Sequence, residues 1–323
     1  MTAGNTESIA PWTAVWQFEA AGNRPARPQH DLVIEPVWHE FTDSLTNGSR
    51  ILDLATGNGV VSLVCMERAR TRRQDLRIDA VDAADIRPPN IPADQEKSGP
   101  QVRFQGGVWL EDLPFGDGEF DAAMSQYGFE YANEVQAISE IARVLAPGGR
   151  LRLVLHARGG ALWDDIDLRH KRLNRVLAKD GIVSLVPGLL RAQQKNEVRT
   201  FKNRLKKLEL ATREAQKLAQ NPPPDDSALF YSQEFLYVWS HRNQYKPDDL
   251  LRSLEDGAAF ARGTAERYAQ MLHVARSAEQ VAALCGRLAS GGLKVGAMRQ
   301  IYNPADGREI AWQVDAIKKM GSG

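Results

Sequence analysis

Residues 51–63, ILDLATGNGVVSL, constrain this chain more than any other stretch. An apolar run carrying Asp53 gives way to Thr56-Gly57-Asn58-Gly59 and then to a second apolar series, which is the order strand, glycine turn, helix. A chain that leaves a buried strand and enters a helix within a few residues needs positive φ and no Cβ facing a ligand, and glycine supplies both. The backbone N–H groups opening that helix then point outward, where they can hold a phosphate, a carboxylate or a ribose.

The neighbouring residues narrow the choice. An NAD-type fingerprint has a third small glycine-like position after G-x-G-x-x, and here Gly57-Asn58-Gly59-Val60-Val61 is followed by Ser62. Asp53 sits before the glycines, and 23 residues after Gly59 the run LRIDAVD ends in a second carboxylate, Asp82, where a Rossmann-like site places its ribose partner. This order of acid, Gly-x-Gly, strand and acid resembles the class I S-adenosylmethionine-dependent methyltransferases. The resemblance continues through LEDLPFGDGEFDAAMSQYGFEY (110–131) and EIARVLAPGGRLRLVLHA (140–157). It covers residues 31–157 and, more weakly, the C-terminal stretch 278–323.

The resemblance implies an α/β fold: a doubly wound, Rossmann-like, mostly parallel seven-stranded sheet with the last strand antiparallel, here with a large α-helical insertion. It implies S-adenosyl-L-methionine as cofactor, held by Asp53, Ala55, Thr56, Gly57, Asn58, Gly59, Asp82, Ala83, Val108, Trp109 and Gln126. Asp53 would lie near the methionine amino end and Asp82 on the ribose hydroxyls. Trp109 stands where the family usually carries a Gly-Asp-Ala pattern and would wall the adenine, and Ala55 stands where the family often has glycine.

Along the chain, Trp12, Trp16 and Glu19 share helical spacing, and apolar residues at 33, 34, 37, 38, 41 and 45 form an amphipathic helix leading to the first strand. Residues 1–48 are therefore expected to be N-terminal helices, with a lid over the cofactor as their use by resemblance. The Pro-rich run 88–92 cannot be regular helix. Residues 102–105 and 120–125 read as the third and fourth strands, 133–145 as a helix stopped by Ala146-Pro147-Gly148-Gly149, and 150–156 as the fifth strand. Strands alternating with helices of this length make a parallel sheet, so 49–158 is the cofactor-binding half. Residues 159–277 lack strand signals and are expected to be a helical insertion over the substrate, with homodimerisation as a further use of its surface. Residues 278–323 complete the core with a helix and a strand pair turning at Asn303-Pro304-Ala305-Asp306-Gly307.

Methyl transfer from a sulfonium is an in-line displacement, so a protein must hold the methyl against a nucleophile and exclude water, and needs a base only for a protonated acceptor. In the family the fourth strand delivers acceptor-side residues just past its end. Glu130 is then a general base or cation partner and Tyr127 a wall or hydrogen-bond donor, with a dipole-complementing first-turn acid as the plainer reading of Glu130. His156 ends the fifth strand on the same edge and is the third catalytic candidate, against a packing role. The histidines form no metal-ligand spacing with acids or cysteines, so no metal is expected. Cys65 and Cys285 fall in apolar helical patterns and read as two buried thiols.

Charge separates the remaining function classes. Forty-one basic residues balance forty-one acidic ones, so no overall field draws the chain onto nucleic acid or an anionic membrane. The run 191–217, with nine basic and three acidic residues, is the local argument for RNA, although its charges spread around a helix whose remaining face is apolar. No uncharged run approaches the ~20 residues of a membrane span, and a cytoplasmic protein is expected. The expected function is methyl transfer to a small-molecule acceptor. The alternatives are an RNA methyltransferase using the basic helix 191–217 and a non-catalytic binding or scaffold protein with the same fold.

Overall fold

The computed structural model describes residues 3–19, 29–86, 88, 99–223 and 225–320. The Arg24–Pro28 run and most of the 88–92 proline run lie outside them. Two helices, α1 (Ala3–Phe18) and α2 (Gln29–Asp43), precede β1 (Arg50–Leu54), α3 (Val60–Arg72), β2 (Arg77–Asp82), β3 (Gln101–Gly106) and β4 (Phe120–Gln126). A single 3-10 turn, Phe129–Tyr131, leads to α4 (Glu134–Val144) and β5 (Leu145–His156). Five helices follow: α5 (Ala161–Leu177), α6 (Ile182–Gln194), α7 (Val198–Leu218), α8 (Ser227–Ser240) and α9 (Pro247–Val274). The chain closes with α10 (Ala278–Ser290), β6 (Leu293–Tyr302) and β7 (Glu309–Lys318).

The strands form one seven-stranded sheet in the order β3-β2-β1-β4-β5-β7-β6. β1 to β5 pair in parallel, and β7 runs antiparallel to both β5 and β6. Ile51, Leu52 and Leu54 of β1 are wholly buried, as a central strand covered on both faces requires. On one face, Leu151, Leu153 and Leu155 of β5 join Ile138 and Ile141 of α4 and Val281, Leu284 and Leu288 of α10 in a single apolar core. On the other, Cys65 of α3 touches Met124 of β4, and the Arg152 guanidinium of β5 donates to Val37 O of α2 while lying over the Phe41 ring. Arg152 is buried, and its fork-on-fork pair with Asp315 of β7 supplies the partner that a buried cation needs.

Element ends follow local chemistry. Asn133 caps α4 by accepting from Gln136 N, and Ser277 with Gln280 forms a reciprocal capping box on α10. Ala146-Pro147-Gly148-Gly149 does not precede the fifth strand as its residue types suggest. β5 begins at Leu145, and pairing with β4 jumps from Phe120↔Leu145 to Ala122↔Arg150, so the Pro-Gly-Gly segment is an irregularity inside the strand. Cys65 is buried, whereas Cys285 is only half-buried, and both are free thiols.

Residues 164–272 form a second compact unit with a core of its own. Leu173, Val183, Leu189, Leu208, Phe235 and Ala261 are among the residues that fill it. Arg172 donates to Leu218 O and to Asp226, and Asp226 caps α8 by accepting from Ala228 N, so one buried pair ties α5, α7 and α8. The run 191–217 is not one helix. Asn196 takes a left-handed φ of 54° and Glu197 N donates to Ala192 O, a closing turn that ends α6 before α7 starts. Arg191 pairs with Glu255, which offsets part of the basic character, whereas Glu214 of the run is spent on Arg175 from α5. No helix of the described residues is long and apolar enough to cross a membrane.

Candidate active site at the carboxyl edge of the sheet

The glycine loop joins β1 to α3 through three left-handed residues, Ala55 (φ 54°), Gly57 (φ 55°) and Gly59 (φ 79°). Thr56 N donates to Val81 O, and Gly57 N donates to Asp82 Oδ2 at 2.8 Å, so the end of β2 holds the loop. Asp82 Oδ1 accepts from Ala84 N at 2.8 Å. Each Asp82 oxygen thus spends one lone pair on the backbone and keeps one for a ligand, the arrangement suited to a pair of vicinal hydroxyls. Burial raises Asp82 above the ordinary carboxylate range, against the lowering effect of those two N–H donors.

Asp53 lies beneath the loop. Its Oδ2 accepts from Thr56 Oγ1 at 2.7 Å and from Ser62 Oγ at 2.6 Å, and burial pushes its pKa up to about 6 despite these donors, with the Asp82 charge adding to the rise. Two neighbouring carboxylates suit a ligand with paired hydroxyls at one end and a cationic group at the other. The loop N–H groups do not all point outward as the sequence suggests: Thr56 N, Gly57 N and Gly59 N are spent on Val81 O, Asp82 and Thr56 O. The cradle is tight as well. A Cβ on Gly59 would lie 2.5 Å from the Phe104 ring, so Gly59→Val combines a forbidden φ with a clash. We expect that variant to lose about 2 kcal/mol of unfolding free energy, read by chemical denaturation.

Helix α1 crosses the same edge. A Cβ on Gly57 would lie 2.8 Å from Trp16, Asn58 Nδ2 donates to Glu19 at 2.6 Å, Gln17 donates to Asp85 at 2.8 Å, and Trp12 meets the Tyr131 ring edge-on at 5.5 Å. Asn58 Oδ1 is buried with no hydrogen-bond partner among the described residues.

The second half of the site follows β4. Ser125 Oγ donates to Leu54 O and accepts from Phe129 N, locking the corner after β4 to the end of β1. Tyr127 takes φ 58° with its N–H on Val154 O, a strained conformation of the kind that collects at functional sites. Glu130 reaches back to the end of β5. Its Oε1 accepts from His156 N at 2.9 Å and lies 2.7 Å from His156 Nδ1, with both residues buried. The Tyr127 ring stacks on the His156 imidazole with centroids 4.2 Å apart, and Tyr131 presents an edge at 6.5 Å.

The structure therefore brings Tyr127, Glu130 and His156 together and gathers Asp53, Ala55, Thr56, Gly57, Asn58, Gly59 and Asp82 around one loop. Val108 N donates to Asp82 O, but the Val108 side chain belongs to the apolar core. Trp109 is half-buried, and its carbonyl accepts from Asp112 N. Ala83 is half-buried beside Asp82. The side-chain oxygen of Gln126 is taken by the Trp38 indole at 2.6 Å, which turns that amide toward α2. The sequence places Ser62 only where a third glycine would stand and Glu19 only on the spacing of the first helix; their contacts with Asp53 and Asn58, and that of Arg276 with Glu130 O, come from the fold. Among the described residues no group of three or more His, Cys, Asp or Glu side chains could hold a metal ion.

Comparison with known proteins gives the same part of the chain. The methyltransferase-domain family matches residues 51–149. A demethylmenaquinone methyltransferase of Thermus thermophilus is 43% identical over 106 residues, covering 32% of this chain and 44% of that protein. A ubiquinone/menaquinone biosynthesis C-methyltransferase of Geobacter sp. is 30% identical over 170 residues, covering 48% of this chain and 69% of that protein. Of the curated relatives first matched, those of Thermus and Deinococcus radiodurans, the chain spans under half the length, 44% and 42%. Among solved structures, a Burkholderia thailandensis 1,6-didemethyltoxoflavin-N1-methyltransferase with bound S-adenosylhomocysteine aligns over 99% of this chain and 92% of its own at 13% identity and TM-score 0.47.

Proposed function

We propose, because this chain belongs to the S-adenosylmethionine-dependent methyltransferase family, that it transfers a methyl group from S-adenosyl-L-methionine to a small-molecule acceptor. The observation that carries this reading is the pairing of Asp53 and Asp82 at adjacent strand ends across a left-handed glycine loop. Asp82 would accept the ribose hydroxyls, and Asp53 would face the amino acid end. Asn58, whose Oδ1 has no hydrogen-bond partner among the described residues, and Trp109 would complete the seat. When bound, the cofactor supplies an electrophilic methyl on a sulfonium, and the chain's own part is to place the acceptor in line with it and keep water out. Tyr127, Glu130 and His156 lie on the acceptor side of that line. The names of the relatives make demethylmenaquinone the first acceptor to assay.

Calorimetry decides the cofactor. Titration with S-adenosylhomocysteine is expected to give saturable one-to-one binding, and titration with NAD none. The reverse result, or binding of neither, would overturn the reading.

A further inference from the structure

We propose that His156 Nε2 is the base that takes a proton from an acceptor hydroxyl, and that Glu130 is a positioning residue that fixes the imidazole for this task. The inference rests on the reading above, which it deepens by naming the acceptor class: a molecule whose nucleophile is released by ionising a hydroxyl group.

The argument starts from one oxygen with two neighbours. A backbone N–H can only donate, so Glu130 Oε1 accepts from His156 N at 2.9 Å. The carboxylate that accepts there also faces Nδ1 at 2.7 Å, and it accepts again if Nδ1 carries the ring proton. The lone pair of the neutral imidazole is then on Nε2. The carboxylate opposite Nδ1 also stabilises the imidazolium formed when Nε2 is protonated, as the third member of a hydrolase triad does.

Two orphaned atoms show where this arrangement is incomplete. His156 Nε2 and Glu130 Oε2 are buried and have no hydrogen-bond partner among the described residues. A buried unsatisfied polar atom costs about 1–3 kcal/mol, and two within one hydrogen-bonded pair of residues are hard to account for as packing. A bound hydroxyl donating to Nε2 removes the first of these costs. The Tyr127 ring lies against the imidazole and Tyr131 stands edge-on, so the surroundings favour a flat, aromatic hydroxyl compound. Among the described residues the groups facing the pair include Tyr127 and Tyr131, and Arg276 from the segment before α10. Arg276 reaches Glu130 O at 3.5 Å, but its charge is already paired with Glu134 at 2.7 Å. Among the described residues Glu130 is therefore the charge that acts directly on the imidazole.

The step balances. The acceptor O–H breaks and its proton passes to Nε2. The freed electron pair, on oxygen or on a conjugated ring carbon, forms the bond to the methyl carbon as the carbon–sulfur bond breaks toward sulfur. One proton leaves the acceptor for each methyl it gains, and His156 returns that proton to water.

The test uses 4-nitrophenol, whose anion absorbs in the visible, added to the whole protein at a pH where the phenol in buffer is largely neutral. It is run with and without S-adenosylhomocysteine. Wild type is expected to show the anion band. His156→Gln is expected to lose it, and Glu130→Gln to lower the ionised fraction about tenfold while the far-ultraviolet dichroism stays unchanged. The ¹⁵N spectrum of the imidazole is expected to show the proton on Nδ1 in wild type and a mixture of tautomers in Glu130→Gln. No anion band in wild type, or an equal band in His156→Gln, overturns the proposal. Calorimetry with S-adenosylhomocysteine reads the cofactor assignment separately, since phenol ionisation without it still reports on His156.

Discussion

Asp82→Ala is expected to weaken S-adenosylhomocysteine binding at least a hundredfold, about 3 kcal/mol. Two losses add in this variant. The carboxylate that would accept the ribose hydroxyls is gone, and so are its bonds to Gly57 N and Ala84 N, which hold the loop against the end of β2. Each hydrogen bond to a charged group contributes about 1.5–3 kcal/mol. Asp82→Asn separates the two parts, because the amide keeps one acceptor for a backbone N–H while offering a donor where the ligand also donates. Because its NH2 must face the other of the two backbone donors, it should recover only part of the thermal stability and little of the affinity. Affinity within threefold of wild type for Asp82→Ala in calorimetry would remove Asp82 from the cofactor seat.

The second large effect is a pH dependence. Asp53 titrates near 6 in the folded chain, so below that pH it is protonated and cannot pair with the ammonium of the ligand's amino acid end. Binding that requires the carboxylate should therefore weaken up to tenfold for each pH unit below about 6 and level off above it. Ser62→Ala removes a donor that lowers this pKa, so the break should move to higher pH. Stability runs in the opposite direction. The folded value lies above the ordinary 3.8, so the folded state holds the proton more tightly than the unfolded chain. The favourable contribution is present below the ordinary carboxylate range and is lost as pH rises through about 6, on the order of 3 kcal/mol. The melting shift caused by S-adenosylhomocysteine should accordingly be larger at pH 7.5 than at pH 5. A binding constant flat from pH 5 to 8 would show that Asp53 does not face the ligand's charge.

The sheet was legible in the sequence because its information is periodic and local. Apolar runs such as ILDL mark the strands, and Asp53 and Asp82 fall within the last two residues of β1 and β2. Relations across the chain were not legible. Glu130 and His156 were separate candidates until the turn after β4 folded the carboxylate back onto the end of β5, a contact between residues 26 apart. The irregular start of β5 was hidden because Pro147, Gly148 and Gly149 have the composition of a helix stop, while backbone pairing resumes on either side of them. The break in the basic run was partly legible, since asparagine adopts the left-handed turn of a helix end more readily than its neighbours do.

The corner between the two halves of the site also limits how this sequence can drift. A Cβ on Gly128 would stand 2.4 Å from the Cβ of Ala55, so the methyl of Ala55 takes the space that a side chain at 128 would need. Gly128→Ala alone should be poorly tolerated, whereas the exchange of Ala55→Gly with Gly128→Ala removes the methyl clash and relieves the positive φ at 55, leaving a tight contact of 3.1 Å to the backbone oxygen of residue 55 that a small shift must absorb. Descendants of this chain would then have to change the two sites as a pair, with glycine at position 55 arriving first, and a lineage holding Ala55 keeps Gly128 for as long as both loops stay in place.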